Sequence, residues 1–175
     1  MTGAAVGAPL LSSLLVGCNS EITENNIGGQ LQFFSPEEFA LVKDLVDLIL
    51  PKTDSPSASD AGVHHMIDTM VGTVYPESYK AAYKKGFTAL TNALNEASGG
   101  KNFRQLEPDQ QLELLKQLDG SNDSRKAFLD LKQQTVAYYL STEEIATNYL
   151  NYLPIPGAYN ACITLEETGG KAWAE

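Results

Sequence analysis

A proline at position 51 divides the first half of this chain into two helices. Residues 39–50 are mostly apolar, and the run stops at Pro51. Proline cannot extend a helix through itself, and it pushes Leu50 toward an extended backbone. A polar loop carrying a second proline, Pro56, spans residues 51–60, and a new apolar pattern begins at Ala61-Gly62-Val63. Thr53, Asp54, Ser55, Ser57, Ser59 and Asp60 bond readily to their own backbone, so the loop is expected to be ordered. The stretch LILPKTDSPSASDAGVHHMID therefore reads as helix, structured turn, helix. A plain helix connection accounts for it without any function.

The rest of the chain continues in helical period. Ser35-Pro36-Glu37-Glu38 is a capping box with proline at the first helical position, and Phe34 is placed to staple onto Phe39. Phe39, Val42, Leu45, Val46 and Ile49 then form one stripe, widened by Leu41 and Leu48. A second helix is expected over 62–75, with Val63, Met66, Ile67, Met70, Val71 and Val74 on its apolar face and Pro76 ending it. A third, over 77–97, carries Tyr79, Tyr83, Phe87, Leu90 and Leu94 and stops at Ser98-Gly99-Gly100. A fourth opens at Glu107-Pro108 and is broken by Asp119-Gly120-Ser121. The fifth, over 124–140, has a face wide enough to be mostly buried, and Ser141 with Glu144 reads as a capping box opening a short sixth helix. Only residues 163–165 alternate weakly as a strand does. The expected fold is all-α: an irregular antiparallel bundle of about six helices after an N-terminal signal segment. Its divisions are a signal segment at 1–17, a tether at 18–34 and one helical domain at 35–175.

A formal charge of −10 and a pI near 4.6 argue against nucleic acid and against electrostatic attachment to anionic lipid. The acidity is spread along the helices, which is the pattern of a solvated surface. No glycine-rich phosphate loop, nucleophile elbow or haem attachment motif is present. Adjacent carboxylates such as Glu37/Glu38, Glu143/Glu144 and Glu166/Glu167 suit helix starts or solvated faces rather than an opposed catalytic pair. His64 and His65 are neighbours about 100° apart on a helix, which suits one ion poorly, and no Glu or Cys stands at ligand spacing. His65 pairs better with Asp68 or Thr69. A structural or partner-facing role is therefore expected over a metal site, and no catalytic residue is assigned.

Two further features concern location and contact. Residues 1–17 carry no charge and end in Leu14-Leu15-Val16-Gly17-Cys18, which resembles a bacterial lipobox. Lipidation at Cys18 would anchor the chain, and residues 19–30 are polar enough to serve as a tether. Near the C-terminus, residues 149–159, YLNYLPIPGAY, are dense in tyrosine and proline. Such rings either cap the core or form an interface. Cys162 is left over once Cys18 is lipidated, which fits an intermolecular disulfide or a free thiol, buried or not.

Leu-Pro-Lys-Thr-Asp-Ser-Pro at 50–56, followed by Ala61-Gly62-Val63 and Ile67-Asp68, resembles the opening signature of the gluconate 2-dehydrogenase subunit 3 family. Pro156-Gly157-Ala158-Tyr159 with Cys162 is similar to its closing element. The resemblance covers roughly 35–162 and implies a small non-catalytic partner of a periplasmic flavin-dependent dehydrogenase of the glucose-methanol-choline type. FAD would then sit in the large subunit, with no cofactor in this chain. The partner would act on a sugar, sugar acid or glycoside. Thr53, Asp54, Pro56, Tyr152, Pro154, Pro156, Gly157, Tyr159 and Cys162 become the expected partner-binding residues, with a disulfide from Cys162 to the large subunit. Residues 2–8 look like the segment that follows the twin arginine of family members, yet Lys43 is the first basic residue. A start upstream, with twin-arginine export, is the expectation. The competing readings are a stand-alone helical envelope lipoprotein that binds a ligand or protein, and an enzyme using His64 or His65.

Overall fold

The structure is a computed structural model that describes residues 30–118, 122–155, 157 and 162–174. Among the described residues six α-helices follow one another: α1 (Pro36–Ile49), α2 (Val63–Thr69), α3 (Glu77–Ala97), α4 (Pro108–Lys116), α5 (Asn122–Ser141) and α6 (Glu143–Asn148). No strand occurs among the described residues; residues 163–165 form none, and the one β-bridge joins Asn151 to Trp173. The expected signal segment and Cys18 lie outside the described residues.

The helix boundaries follow local chemistry. The Ser35 side chain accepts from the Glu38 N–H, and the Ser35 N–H donates to the Glu38 carboxylate at 2.9 Å, so the capping box forms as spaced. Lys84 of α3 also reaches that carboxylate. Burial works against the charge on Glu38, but Lys84 and the Ser35 N–H outweigh it and hold its pKa below the ordinary value. α1 ends at Leu50, ahead of Pro51. Pro108 takes the first position of α4, and α3 closes at Ser98 before Gly99-Gly100. A single 3₁₀ turn, Phe103–Gln105, was not foreseen; it buries Phe103, whose carbonyl accepts from the side chain of buried Gln111 at 2.9 Å.

α3 and α5 form the principal pair, with α2 also against α5, α1 against α2 and α5, and α4 against α1 and α3. Gly86 permits the α3–α5 approach: a Cβ there would lie 3.2 Å from the Ala127 methyl. Leu45, Val46, Ile67, Phe87, Leu90, Leu94 and Leu131 fill the centre. Each such side chain contributes about 1.5–3 kcal/mol by leaving water. Tyr79 and Tyr83 of α3 continue a row of rings begun by Tyr75 just ahead of the helix, with Tyr75–Tyr79 ring centroids 4.5 Å apart. Their hydroxyls meet α5: Tyr75 Oη lies 3.0 Å from Tyr138 Oη, and Tyr83 donates to Gln134 Oε1 at 3.0 Å. Burial pushes the Tyr83 and Tyr138 phenols well above their ordinary range.

Four differences from the sequence reading stand out. The second helix is not regular to Tyr75. It passes into one π-turn, Met70–Val74, closed by the Tyr75 N–H on the Met70 carbonyl. The wider turn shifts the phase, and Val74, expected on the buried face, is 61% exposed. Phe34 does not pair with Phe39 in ring contact. Its ring meets Phe33, Tyr83 and Phe87, while Phe39 lies on His64 and His65. The Ser141–Glu144 box does not form: Ser141 ends α5 with its hydroxyl on the Tyr138 carbonyl at 2.8 Å, and the residue before α6, Thr142, gives no side-chain cap because its own hydroxyl donates to the Tyr139 carbonyl at 2.8 Å. The broad face of α5 is two faces. Leu131, Thr135 and Tyr139 are buried, whereas Leu129 is half exposed.

Asp68 organises the entry of the chain. It is buried, and its carboxylate accepts three consecutive backbone N–H groups: Gln32 at 2.7 Å on Oδ2, Phe33 at 3.0 Å and Phe34 at 2.9 Å on Oδ1. Residues 32–34, assigned to the tether from sequence, are thereby fixed against α2, and Phe34 enters the core. Gly72 makes the crossing possible. A Cβ there would overlap the Gln32 Cβ and come 2.7 Å from the Gln32 carbonyl carbon, so no side chain fits.

Candidate functional site

The loop after Pro51 is ordered, as its composition predicts. The Ala58 N–H returns to the Leu50 carbonyl at 3.0 Å, and Ala58 is fully buried. Asp47 of α1 takes both the N–H and the hydroxyl of Ser59, at 2.8 and 2.6 Å. Ser57 and Asp60 exchange side-chain-to-backbone bonds. Lys52, then the Ser57 N–H, hold the Asp60 carboxyl below its usual range. From α5, the Tyr139 hydroxyl reaches Ser55 Oγ at 2.9 Å and the Pro56 carbonyl at 2.7 Å. Pro56 is thus half-buried and tied to the bundle, while Thr53 and Asp54 stand exposed at the tip.

The C-terminal segment leaves the bundle after α6 and comes back to it. Asn151 holds both ends. Its N–H donates to the Ala172 carbonyl at 2.8 Å, and its carbonyl accepts from the Ala174 N–H at 3.0 Å. Its side-chain amide donates to the Thr168 and Lys171 carbonyls at 2.9 and 3.0 Å, and Lys171 Nζ reaches the Asn148 carbonyl. Inside this closed excursion, Thr164 and Glu167 bond reciprocally and start a tight turn.

The excursion displays several large apolar side chains beside the exposed Thr164, Glu166, Glu167 and Lys171. Tyr152 is 55% exposed, Leu153 53%, Ile155 82% and Leu165 75%. Pro154 and Gly157 are exposed, and Cys162 is an exposed free thiol. Pro156 and Tyr159 lie outside the described residues. Within this segment Tyr149 and Tyr152 are exposed, 38% and 55%, rather than capping the core. The closure through Asn151 escaped the sequence reading. It pairs residues about twenty positions apart, and a lone asparagine gives no local sign of it.

His64 is buried in the wall of the bundle. Its ring sits 5.1 Å from Phe39 and 4.3 Å from His65, and its Nδ1 has no hydrogen-bond partner among the described residues. Burial first, and then the neighbouring His65 and Lys43, push its pKa down to about 4, so it is neutral near pH 7. His65 is shifted down as well, again mainly by burial. Its suggested partner Asp68 is engaged by the three backbone N–H groups instead. The neutral imidazole of His64 is packed between the rings of Phe39 and His65. Among the described residues no three His, Cys, Asp or Glu side chains gather as a metal site, and no helix is long and apolar enough to cross a membrane.

A family model, gluconate 2-dehydrogenase subunit 3, matches residues 36–157. That span holds all six helices, the tied loop and the first part of the exposed segment. No curated protein and no solved structure matched the chain.

Proposed function

This chain belongs to the gluconate 2-dehydrogenase subunit 3 family, and on that premise we propose that it is the non-catalytic small subunit of a flavin-dependent dehydrogenase acting on a sugar, sugar acid or glycoside. It is an accessory chain in this reading; FAD and the redox chemistry belong to the large subunit. The observation that carries the proposal is the apolar display on the excursion pinned at Asn151. Ile155 and Leu165 are the most exposed large apolar side chains on it. The bonds from Asn151 to residues 168–174 hold those described residues in place, which lowers the conformational cost of presenting the exposed side chains beside them. Thr53 and Asp54, exposed on the loop tied through Tyr139, serve as a further contact in this reading.

Cys162 stands exposed on the same excursion. In this reading its thiol forms a disulfide with a large-subunit cysteine by exchange with a disulfide oxidant of an oxidising compartment, which takes up the two protons and two electrons. The proposed setting is the periplasmic face of the envelope, with a lipid on Cys18 and the folded partner carried across by a twin-arginine signal.

The test is purification of tagged chain from its native envelope, with an absorbance spectrum and non-reducing electrophoresis. Flavin absorbance in a co-purifying large subunit supports the reading. A heavier band that collapses on reduction, and that Cys162→Ser abolishes, supports the disulfide. A colourless monomer from the native envelope overturns the subunit reading.

A further inference from the structure

Among the described residues, the one buried side-chain polar atom left without a hydrogen bond is His64 Nδ1. Such an atom costs stability, so its presence calls for a reason. The side chain is 6% exposed and packs against Phe39 of α1 and His65. It stands in the first turn of α2, and that turn is lightly fastened. Gly62 ahead of it, at φ +75°, has no side chain to cap the helix. Three backbone bonds close the turn. The Val63 N–H donates to the Ala58 carbonyl at 3.0 Å, and the His65 and Met66 N–H groups donate to the Gly62 carbonyl at 3.1 and 3.2 Å. The other end of α2 is clamped by Asp68 on the entry segment. The loop end of α2 is therefore the end with room to give.

The charges around His64 couple it to the loop. Lys43 and Asp47 of α1 and His65 of α2 are the described groups that act on the ring. α5 also packs on α2, and its buried Leu131, Thr135 and Tyr139 bring no charge. A proton on His64 therefore meets two basic neighbours and one carboxylate. That carboxylate already has a task. Asp47 takes both the N–H and the hydroxyl of Ser59, which fastens the loop to α1. An imidazolium attracts a carboxylate more strongly than a neutral hydroxyl does, since both partners are then charged. Protonation thus makes the buried place costly and draws Asp47 away from Ser59 in the same step.

We propose that His64 is a proton-operated latch on the 51–62 loop. On protonation its ring leaves the α1–α2 joint for the Asp47 carboxylate, the first turn of α2 unwinds at Gly62, and the limb 57–62 lifts. Tyr139 then remains as the tie between loop and bundle, through Ser55 and Pro56. Only the consequence rests on the subunit reading: Thr53 and Asp54 lose their fixed place, and their contact with the partner weakens in acid. The opening belongs to the chain alone, so it stands or falls without any partner.

Amide hydrogen exchange on the full chain at pH 7 and pH 5 tests the latch, over a range in which ordinary carboxylates stay largely ionised. The closed form holds the His64 pKa at about 4, and the open form returns it to the ordinary 6.5. The open population should therefore grow about twentyfold from pH 7 to pH 5. The N–H groups of Ala58, Ser59, Val63 and His65 should lose protection by that factor, after correction for the intrinsic effect of pH on exchange. At pH 7 they should already be about tenfold less protected than those of Leu90 and Leu94 in α3, because the opening is local. His64→Leu should make the protection of the four nearly flat between the two pH values, and His64→Gln serves the same purpose if leucine does not fit. Protection equal to that of α3, a wild-type response to pH below about threefold, or the wild-type response kept in the folded variant would each overturn the proposal.

Discussion

Asp68→Asn is the most informative single substitution in the bundle. The native carboxylate accepts two N–H groups on Oδ1 and one on Oδ2. Asparagine keeps one carbonyl oxygen. Turned toward Phe33 and Phe34, it retains two bonds as neutral ones, at about half the strength of their charged counterparts. Its NH₂ then faces the Gln32 N–H, donor against donor, and that bond is lost. A hydrogen bond to a charged acceptor contributes about 1.5–3 kcal/mol. One such bond removed and two halved add to a loss of about 3–6 kcal/mol. Gln32 stands in a partly exposed position, so water can satisfy its N–H and the cost need not rise further. Urea unfolding of wild type and variant at pH 7 measures the loss. Amide exchange at Phe33 and Phe34 reports on the joint itself: both N–H groups should lose protection in the variant, while those of α3 and α5 lose it only in step with global stability. A stability change below about 1 kcal/mol, or unchanged protection at Phe33 and Phe34, would refute the claim that this carboxylate holds the entry segment.

Gly72→Ala should destabilise by about 1–3 kcal/mol, since the methyl must push residues around Gln32 away; combined with Asp68→Asn the losses should fall short of additive in the same urea assay, because both act on one joint. His64 is folded with a pKa of about 4 against an ordinary 6.5. Its neutral burial is therefore fully stabilising above pH 6.5, and the contribution drains as pH falls from 6.5 to 4. Between pH 7 and 4.5 it should account for about 2 kcal/mol of lost stability, and His64→Leu should reduce the loss over that interval by this amount; equal losses in both proteins would count against it. Asn151→Ala removes the amide bonds to Thr168 and Lys171 but leaves the backbone bridge. It should change unfolding by under about 1 kcal/mol while limited proteolysis within 152–172 accelerates severalfold.

Much of the fold was legible because its signals are local. The Ser35–Glu38 box, the stop at Pro51, Pro108 at the start of α4 and the end of α3 at Gly99-Gly100 each act within one turn of helix, so spacing alone reveals them. The failures share the opposite character. Whether Phe34 meets Phe39 or Phe87 is decided by where α3 crosses, and periodicity within one helix carries no record of that. The two faces of α5 read as one broad stripe because apolar spacing cannot say which neighbour is present, and α4 leaves the second face open. Asp68 looked like a partner for His65, one turn away, when its true partners are backbone groups more than thirty positions earlier. In the candidate interface, Pro56 and Thr53 were expected to act alike. Tyr139 separates them, drawing the first into the bundle and leaving the second outside.

The arrangement at Asp68 also fixes how this domain carries a mechanical load. Tension transmitted along the backbone toward residue 30 arrives first at three N–H groups gathered on one carboxylate. Because they share an acceptor, they yield together rather than one after another, and until they do the pull is passed to α2 and through it to the centre of the bundle. A domain hung from its N-terminal side is thus suspended from its middle, not from the frayed end of a helix, and α1 with its capping box lies beyond the point where the force is taken up.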